Sequence, residues 1–327
     1  MNNDTQIKPA HSGIRVVFDT DMGNDVDDAL ALALLHEMEI RRQVEVLAVT
    51  LSIRDPLAAP YIDSFNRQYG RPEIPIGDCL HGVFVGESKF LPLANERTSG
   101  GELLFPREER DYPGSTALLR KTLAHAEDDS VVIIQTGFFT NLARLLETAG
   151  DGDSPLNGRE LVMKKVRYVS LMAGAFKTID GDPRFREFNV VQDIPSAQKV
   201  AAAWPTPVIW SGFEVGIAVA YPAWSIDEDL LGAQHQLLRM SYQRYLPTPH
   251  ERPTWDLTSV ACVAFPARGY FGLSPEGGVT VHDDGSTEFH PESGGRDRFL
   301  TVDEIQVARL RELFAAYIGT PRFHSPA

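Results

Sequence analysis

Short β-branched apolar runs alternate along the chain with longer segments of helical period. Residues 15–19 (RVVFD) have the pattern of a buried strand. Residues 25–39 (DVDDALALALLHEME) follow as a helix, whose acidic start suits the positive end of its dipole. The alternation repeats as strand 43–51, helix 57–69, strand 131–135, helix at about 138–149, strand 166–172, helix 194–203 and strand 207–210. This βαβα order predicts a parallel sheet with helices on both faces. From about residue 222 helices dominate, at 231–245, 255–265 and 302–317, with a short antiparallel element near 279–301. Segments 79–113 and 176–186 are rich in Gly, Pro and charge and are expected as loops that bind or cover a ligand. The expectation is one α/β domain over residues 14–320, with a mostly parallel central sheet flanked by helices and a helical C-terminal part. Residues 1–13 and 321–327 are expected as a flexible N-terminal segment and a C-terminal tail.

Composition narrows the function classes. Of 327 residues, 43% are hydrophobic and 23% charged, ordinary values for a globular chain with a sizeable core. Asp and Glu outnumber Lys and Arg by 45 to 31, a formal net charge of −14, so nucleic acid and membranes are not expected as partners. Two cysteines, Cys79 and Cys262, make neither a disulfide framework nor a CxxC zinc site. No apolar run approaches the ~20 residues that span a bilayer. The opening MNNDTQIKPAHSGIR lacks the apolar core of a signal peptide. A cytoplasmic enzyme is the expectation.

The strongest chemical signal is VVFDTDMGNDVDDALALALL, where Asp19, Asp21, Asp25, Asp27 and Asp28 put five carboxylates in ten residues at a strand-to-helix junction. In a doubly wound sheet, ligands bind beyond the carboxyl ends of the strands. Crowded carboxylates raise the cost of ionising one another, and a hard divalent cation with oxygen ligands relieves that repulsion. The 21/25/28 spacing can bring several oxygens to one point, whereas adjacent Asp27 and Asp28 are expected to face apart on a helix. An acidic cap and first turn would account for one or two such residues, not five. The stretch is no EF-hand, which needs a twelve-residue loop ending in Glu. Asp19-Thr20-Asp21 is similar to the DxDGT start of haloacid-dehalogenase-type phosphatases, with Asp19 as nucleophile. The Gly and Thr of that signature are missing here, as is its downstream Lys and GDxxxD context.

DTDMGNDVDDALAL resembles the fingerprint DxDPGxDDA of the inosine–uridine-preferring nucleoside hydrolase family, with Met22 where Pro is usual and two extra residues. Further pieces follow in the family's order: VVIIQTGFFTNLARLL (131–146), LMAGAF (171–176), REFNVVQDIPSAQKV (186–200), WPTPVIWSGFEVG (204–216) and RPTWDLTSVACVAF (252–265). The resemblance covers roughly residues 14–320. It implies a Rossmann-like nucleoside hydrolase fold and a homo-oligomer, dimer or tetramer. It implies calcium-dependent hydrolysis of the N-glycosidic bond of purine or pyrimidine ribonucleosides, in nucleoside salvage. By resemblance, Asp21, Asp28, Asp256 and the Thr136 carbonyl hold Ca2+, with the 2′- and 3′-hydroxyls of ribose completing its shell. Asp21 is then the general base for water. Asp25 or Asp27, Asp27 by preference, binds a ribose hydroxyl, and Glu187 and Asn189 hold the 5′- and neighbouring hydroxyls.

On the residues alone, Glu187 and Asn189 share a face if their stretch is extended. Asp193 and Asp55 are expected as caps, and Thr140 or Asn141 as caps of the helix after Gly137. Trp204, Trp210 and Phe213 are expected in the core or a pocket wall. The chain departs from the pattern of the family it resembles at Trp255, where most characterised members carry a His able to protonate a leaving purine. An indole is a poor proton donor and a good surface for stacking a base, so Trp255 is expected at the substrate. His250, Tyr242 and Tyr245 are the candidate replacement acids. Leu51-Ser52-Ile53-Arg54-Asp55 also replaces the family's VGN turn. Trp255 raises an alternative: a protein that binds ribose or nucleoside without turnover.

Overall fold

In the computed structural model, which describes residues 13–79 and 81–319, the sheet is built as the alternation predicts. Strands β1 (Ile14–Thr20), β2 (Val44–Leu51), β3 (Ile76–Gly77), β4 (Val131–Gln135), β5 (Val166–Met172) and β6 (Val208–Ser211) lie parallel in the spatial order β3-β2-β1-β4-β5-β6. This is the doubly wound order, and its direction of winding reverses between β1 and β4. A small two-stranded pair, β7 (Ala220–Tyr221) with β8 (Arg252–Pro253), stands apart. The expected antiparallel element is β9 (Gly272–Leu273), β10 (Gly277–Val281), β11 (Thr287–Pro291) and β12 (Asp297–Thr301). Of these, β12 runs parallel beside β6, and β9 and β10 pair with it antiparallel.

The helices are α1 (Asp27–Ile40), α2 (Ala58–Gln68), α3 (Ser115–His125), α4 (Thr140–Glu147), α5 (Gly158–Lys165) and α6 (Phe188–Val191). They continue as α7 (Ile194–Ala203), α8 (Phe213–Ala218), α9 (Ala223–Glu228), α10 (Gln236–Tyr245), α11 (Trp255–Ala264) and α12 (Glu304–Ile318). Side chains along a strand alternate faces. Val16 and Phe18 of β1 and Val132 and Ile134 of β4 thus join the core beneath α1, α2, α10, α11 and α12. Val17, Val131 and Ile133 join the opposite core beneath α3, α4, α5 and α7. Every residue of α1 from Asp27 to Glu39 is buried, as befits a helix apolar on all sides. Its polar end is neutralised locally: Glu37 pairs with Arg41 at 2.8 Å, Glu39 pairs with Arg71, and His36 Nε2 lies 2.9 Å from Asn66 Oδ1.

The departures from expectation have local causes. Helices α3 and α5 lie in stretches whose polar content hid their short apolar faces. The helix expected over 231–245 begins only at Gln236, after a 3-10 turn at Ala233–His235. The segment 79–113, expected as a loop that binds or covers a ligand, packs into the core instead, and none of its described residues (Leu80 lies outside them) lines the cavity described below. Its 3-10 turn Leu91–Asn95 is flanked by Phe90 and Phe105, and Phe90, Leu91, Leu93 and Phe105 are all buried. The terminal segments 1–13 and 321–327 lie outside the described residues except for Gly13. Among the described residues no helix is long and apolar enough to cross a membrane, and both cysteines are free and buried.

Candidate active site at the switch point of the sheet

The carboxyl ends of β1, β2 and β4 are tied to one another before any ligand is considered. Ser52 N donates to Thr20 O (2.9 Å) and Thr136 N donates to Asp19 O (2.7 Å). The Ser52 hydroxyl accepts from Phe138 N at 2.9 Å. The turn after β4 comes so close to β1 that a Cβ on Gly137 would stand 2.2 Å from Ser52 Oγ and 2.5 Å from the Asp21 backbone nitrogen. Gly137→Ala must therefore displace the backbone that carries Asp21. We expect a loss of roughly 1–3 kcal/mol of stability, as for other overpacked sites, with a fall in activity. Denaturant unfolding alongside an assay checks this, and an unshifted midpoint would count against it.

Asp19 belongs to this scaffold. Its Oδ2 accepts from Thr50 Oγ1 (2.6 Å) and Asn141 Nδ2 (2.7 Å), and burial pushes its carboxyl up to about 7. Asn141 also donates to Leu51 O at 2.8 Å, so it is a strand-to-strand tie rather than the helix cap expected for it. Asp19 does not line the cavity described next, which leaves the phosphatase reading without a nucleophile facing a substrate. The expected cap at Asp193 is present, accepting from Ser196 N (3.3 Å) at the start of α7, whereas Asp55 accepts from Leu57 N (2.8 Å) in the turn before α2, whose own N-cap Leu57 has no side-chain cap bond.

Beyond these strand ends lies a cavity of about 300 Å³. Asp21, Asp28, Asp256 and Thr136 line it, and so do Asp25, Asp27, Glu187, Asn189 and Trp255. All nine residues singled out from the sequence thus share one space. At its floor, carboxylate oxygens of Asp27, Asp28 and Asp256 approach within 4.8 Å of one another. This corrects the expectation that Asp27 and Asp28 face apart. Asp27 opens α1, and its Oδ2 turns to accept from the Asp256 backbone N–H (3.1 Å), which carries it toward its neighbour. Asp28 in turn accepts from the Thr20 hydroxyl. Asp21 is 3% exposed and its Oδ2 is buried with no hydrogen-bond partner.

The electrostatics are those of an uncompensated acidic nest. Burial pushes Asp28 up to about 7. Burial, then the charge of Asp28, holds Asp21 and Asp27 well above the ordinary carboxylate range; burial, then Asp27, does so for Asp256. Among the described residues none of the four makes an ion pair. Four buried carboxylates and an unpartnered oxygen are a donor set that fits a hard divalent cation.

Asp25 lines the cavity away from the three-carboxylate group. It forms a two-pronged ion pair with Arg252, with Nε donating to Oδ1 at 2.8 Å and Nη2 donating to Oδ2. The nest thus gathers at 27/28/256 with Asp21 beside it, not at the 21/25/28 spacing. Glu187 and Asn189 are not on an extended segment either. Glu187 is the N-cap of α6, accepting from Asn189 N (2.9 Å), Val190 N (3.1 Å) and Gly174 N (3.2 Å). Burial still pushes it up to about 7. Asn189 Nδ2 donates to the carbonyls of Thr136 (2.9 Å) and Met172 (3.0 Å), so it holds the Thr136 carbonyl in place and leaves that oxygen a second lone pair.

The remaining wall is aromatic: Trp255, Phe213, Phe188 and Tyr245. The Trp255 ring lies 5.4 Å from that of Phe213, and its indole N–H donates to the Phe213 carbonyl at 3.0 Å. Trp255 therefore presents a face and no proton. Trp204 and Trp210 are core residues, and Phe213 alone of those three reaches the cavity. Of the candidate acids, Tyr242 is buried and donates to His250 O (2.9 Å), and neither it nor His250 lines the cavity; Tyr245 does. The sequence reading missed Arg252. The available signal was a cation just before the N-terminus of α11, the end of a helix dipole that disfavours positive charge.

Comparison with known proteins identifies the fold and the family. A plant nucleoside hydrolase superposes with a TM-score of 0.72 at 17% identity, covering 94% of this chain and 99% of its own. A purine-preferring ribonucleoside hydrolase from Gardnerella vaginalis gives 0.71 at 16% identity, covering 93% and 98%. In sequence, an uncharacterised protein of Schizosaccharomyces pombe is 27% identical over 206 residues, a match spanning 58% of either chain. The family model of the inosine-uridine preferring nucleoside hydrolases matches residues 16–304. The chain belongs to the inosine-uridine preferring nucleoside hydrolase family.

Proposed function

We propose that the protein hydrolyses the N-glycosidic bond of ribonucleosides to free base and ribose, with calcium as cofactor. The observation that carries this reading is one cavity with a floor of converging carboxylates, Asp27, Asp28 and Asp256 with Asp21 beside them, and an aromatic wall. Asp21, Asp28, Asp256 and the Thr136 carbonyl would hold the ion. Bound by these residues, calcium would supply Lewis acidity toward the ribose diol and the attacking water. Asp27 has one oxygen engaged by Asp256 N–H and offers the other to a ribose hydroxyl. Glu187 and Asn189, fixed at the start of α6, hold the 5′ side of the sugar. Asp21, with its unpartnered buried oxygen, takes the proton of the attacking water. The surrounding negative charge favours the oxocarbenium-like sugar of the transition state. Trp255 and Phe213 stack the base. We place this activity in cytoplasmic nucleoside salvage, in a homo-oligomeric enzyme.

The test is a reducing-sugar assay on inosine, uridine, adenosine, guanosine and cytidine, with calcium and after chelation. Ribose release that chelation abolishes and calcium restores is expected. Release that survives complete metal removal would overturn the cofactor assignment. Saturable nucleoside binding with no release from any substrate would favour the silent binding protein instead.

A further inference from the structure

The cavity contains one cationic side chain among its described lining residues, Arg252, and nothing in the roles above uses it. It sits in an unfavourable place for a cation, two residues before Thr254, the N-cap of α11. Three contacts hold it there. Asp25 takes its Nε and Nη2 edge, and the guanidinium carbon lies 4.9 Å from the Tyr245 ring centroid and 5.3 Å from that of Trp255. Among the described residues none accepts from Nη1. The guanidinium is thus fixed between two rings of the aromatic wall with one edge unspent.

The same site lacks a ready acid for the leaving base. The Trp255 N–H is bound to a carbonyl, and His250 and Tyr242 lie outside the cavity. Tyr245 does line it, but burial and the charges of Asp27 and Asp28 raise its hydroxyl further above the ordinary range. Resting on the hydrolase reading above, we infer that Arg252 is a catalytic residue that holds the leaving base as an anion. As the C1′–N bond breaks, its electron pair passes to the base and spreads over ring nitrogen and carbonyl oxygen. The guanidinium hydrogen-bonds that charge without surrendering a proton, which its basicity forbids. Water forms the new bond to C1′, and its proton goes to Asp21. After release the base takes a proton from solvent, and Asp21 returns its own to solvent. Asp25 is a positioning residue that aims the guanidinium.

The experiment compares kcat/KM of wild type, Arg252→Gln and Arg252→Lys on uridine, inosine and p-nitrophenyl riboside. The nitrophenolate of the last leaves without assistance. Loss of one donor to a developing anion costs about 100–1,000-fold. Arg252→Gln should lose that much on uridine and inosine and less than about tenfold on the nitrophenyl riboside, with Arg252→Lys between, since it keeps the charge and loses the fork. Equal losses on all three substrates, or no loss on the nucleosides, would overturn the inference. A wild type inactive even on the nitrophenyl riboside would instead overturn the hydrolase reading and this inference with it. Should Arg252→Gln fail to fold because Asp25 is left unpaired, the double variant with Asp25→Asn removes both partners and carries the same comparison.

Discussion

Asp28→Asn is expected to lower calcium-supported activity by at least about 10³-fold, near the loss seen when a transition-state electrostatic group is removed, while making the calcium-free protein more stable. The two effects have one cause. Asp28 is 1% exposed, forms no ion pair, and stands among Asp21, Asp27 and Asp256. A buried charge without an ion-pair partner opposes folding, and burial is what pushes the Asp28 carboxyl up. Asparagine keeps the shape and the acceptor for the Thr20 hydroxyl, and its amide can donate to the remaining carboxylates. The charge needed to bind a divalent ion is reduced at the same time. Wild type should gain on the order of 2.7 kcal/mol at a calcium concentration 100 times its dissociation constant, and Asp28→Asn little or none. Thermal unfolding with and without calcium, beside the sugar assay, reads both effects. A variant that keeps a tenth of the activity, or that is less stable than wild type in chelator, would contradict this account.

Asp21→Asn is expected to reduce kcat by about 10²–10⁴-fold, the usual contribution of a general base, with a smaller effect on calcium stabilisation than Asp28→Asn. The distinction comes from geometry. The tight group of oxygens comprises Asp27, Asp28 and Asp256, and Asp21 adds a buried oxygen that no protein donor reaches. An asparagine oxygen still serves a cation as a ligand but cannot accept a proton from water. The expected pattern is a large loss in kcat, a KM within a few-fold of wild type, and a rise in melting temperature on adding calcium. A kcat within tenfold of wild type would place the base elsewhere in the nest.

Asp21 and Asp28 illustrate how far the residues could be read before folding. The crowding of carboxylates after β1 is a property of ten consecutive positions, whereas the reversal of winding beside β1 belongs to the order of the strands in the folded sheet. Together they locate a cation-binding crevice. Which carboxylate does what did not follow. Spacing favoured 21/25/28, whereas the fold diverts Asp25 to Arg252, 227 residues away, and draws Asp27 in through Asp256, 229 residues away. The Glu187–Asn189 stretch shows the same limit. Alternation suggested an extended face, but Glu187 finds three backbone N–H groups and becomes a helix cap, so the two side chains meet the cavity for a different reason.

The sequence by itself determined the parallel α/β sheet, the helix that follows β1, the acidic turn between them and the family whose motifs run through the chain. Those features rest on periodicity and composition within short windows, where each residue's neighbours are its chain neighbours. The tertiary structure alone decided the convergence of Asp27 with Asp28 and Asp256, the scaffold role of Asp19, the bond that silences the Trp255 N–H and the seating of Arg252 between two rings. Each of these depends on which distant partner satisfies a buried charge or polar group. That choice is made by packing and desolvation across the whole core, which spacing along the chain does not encode.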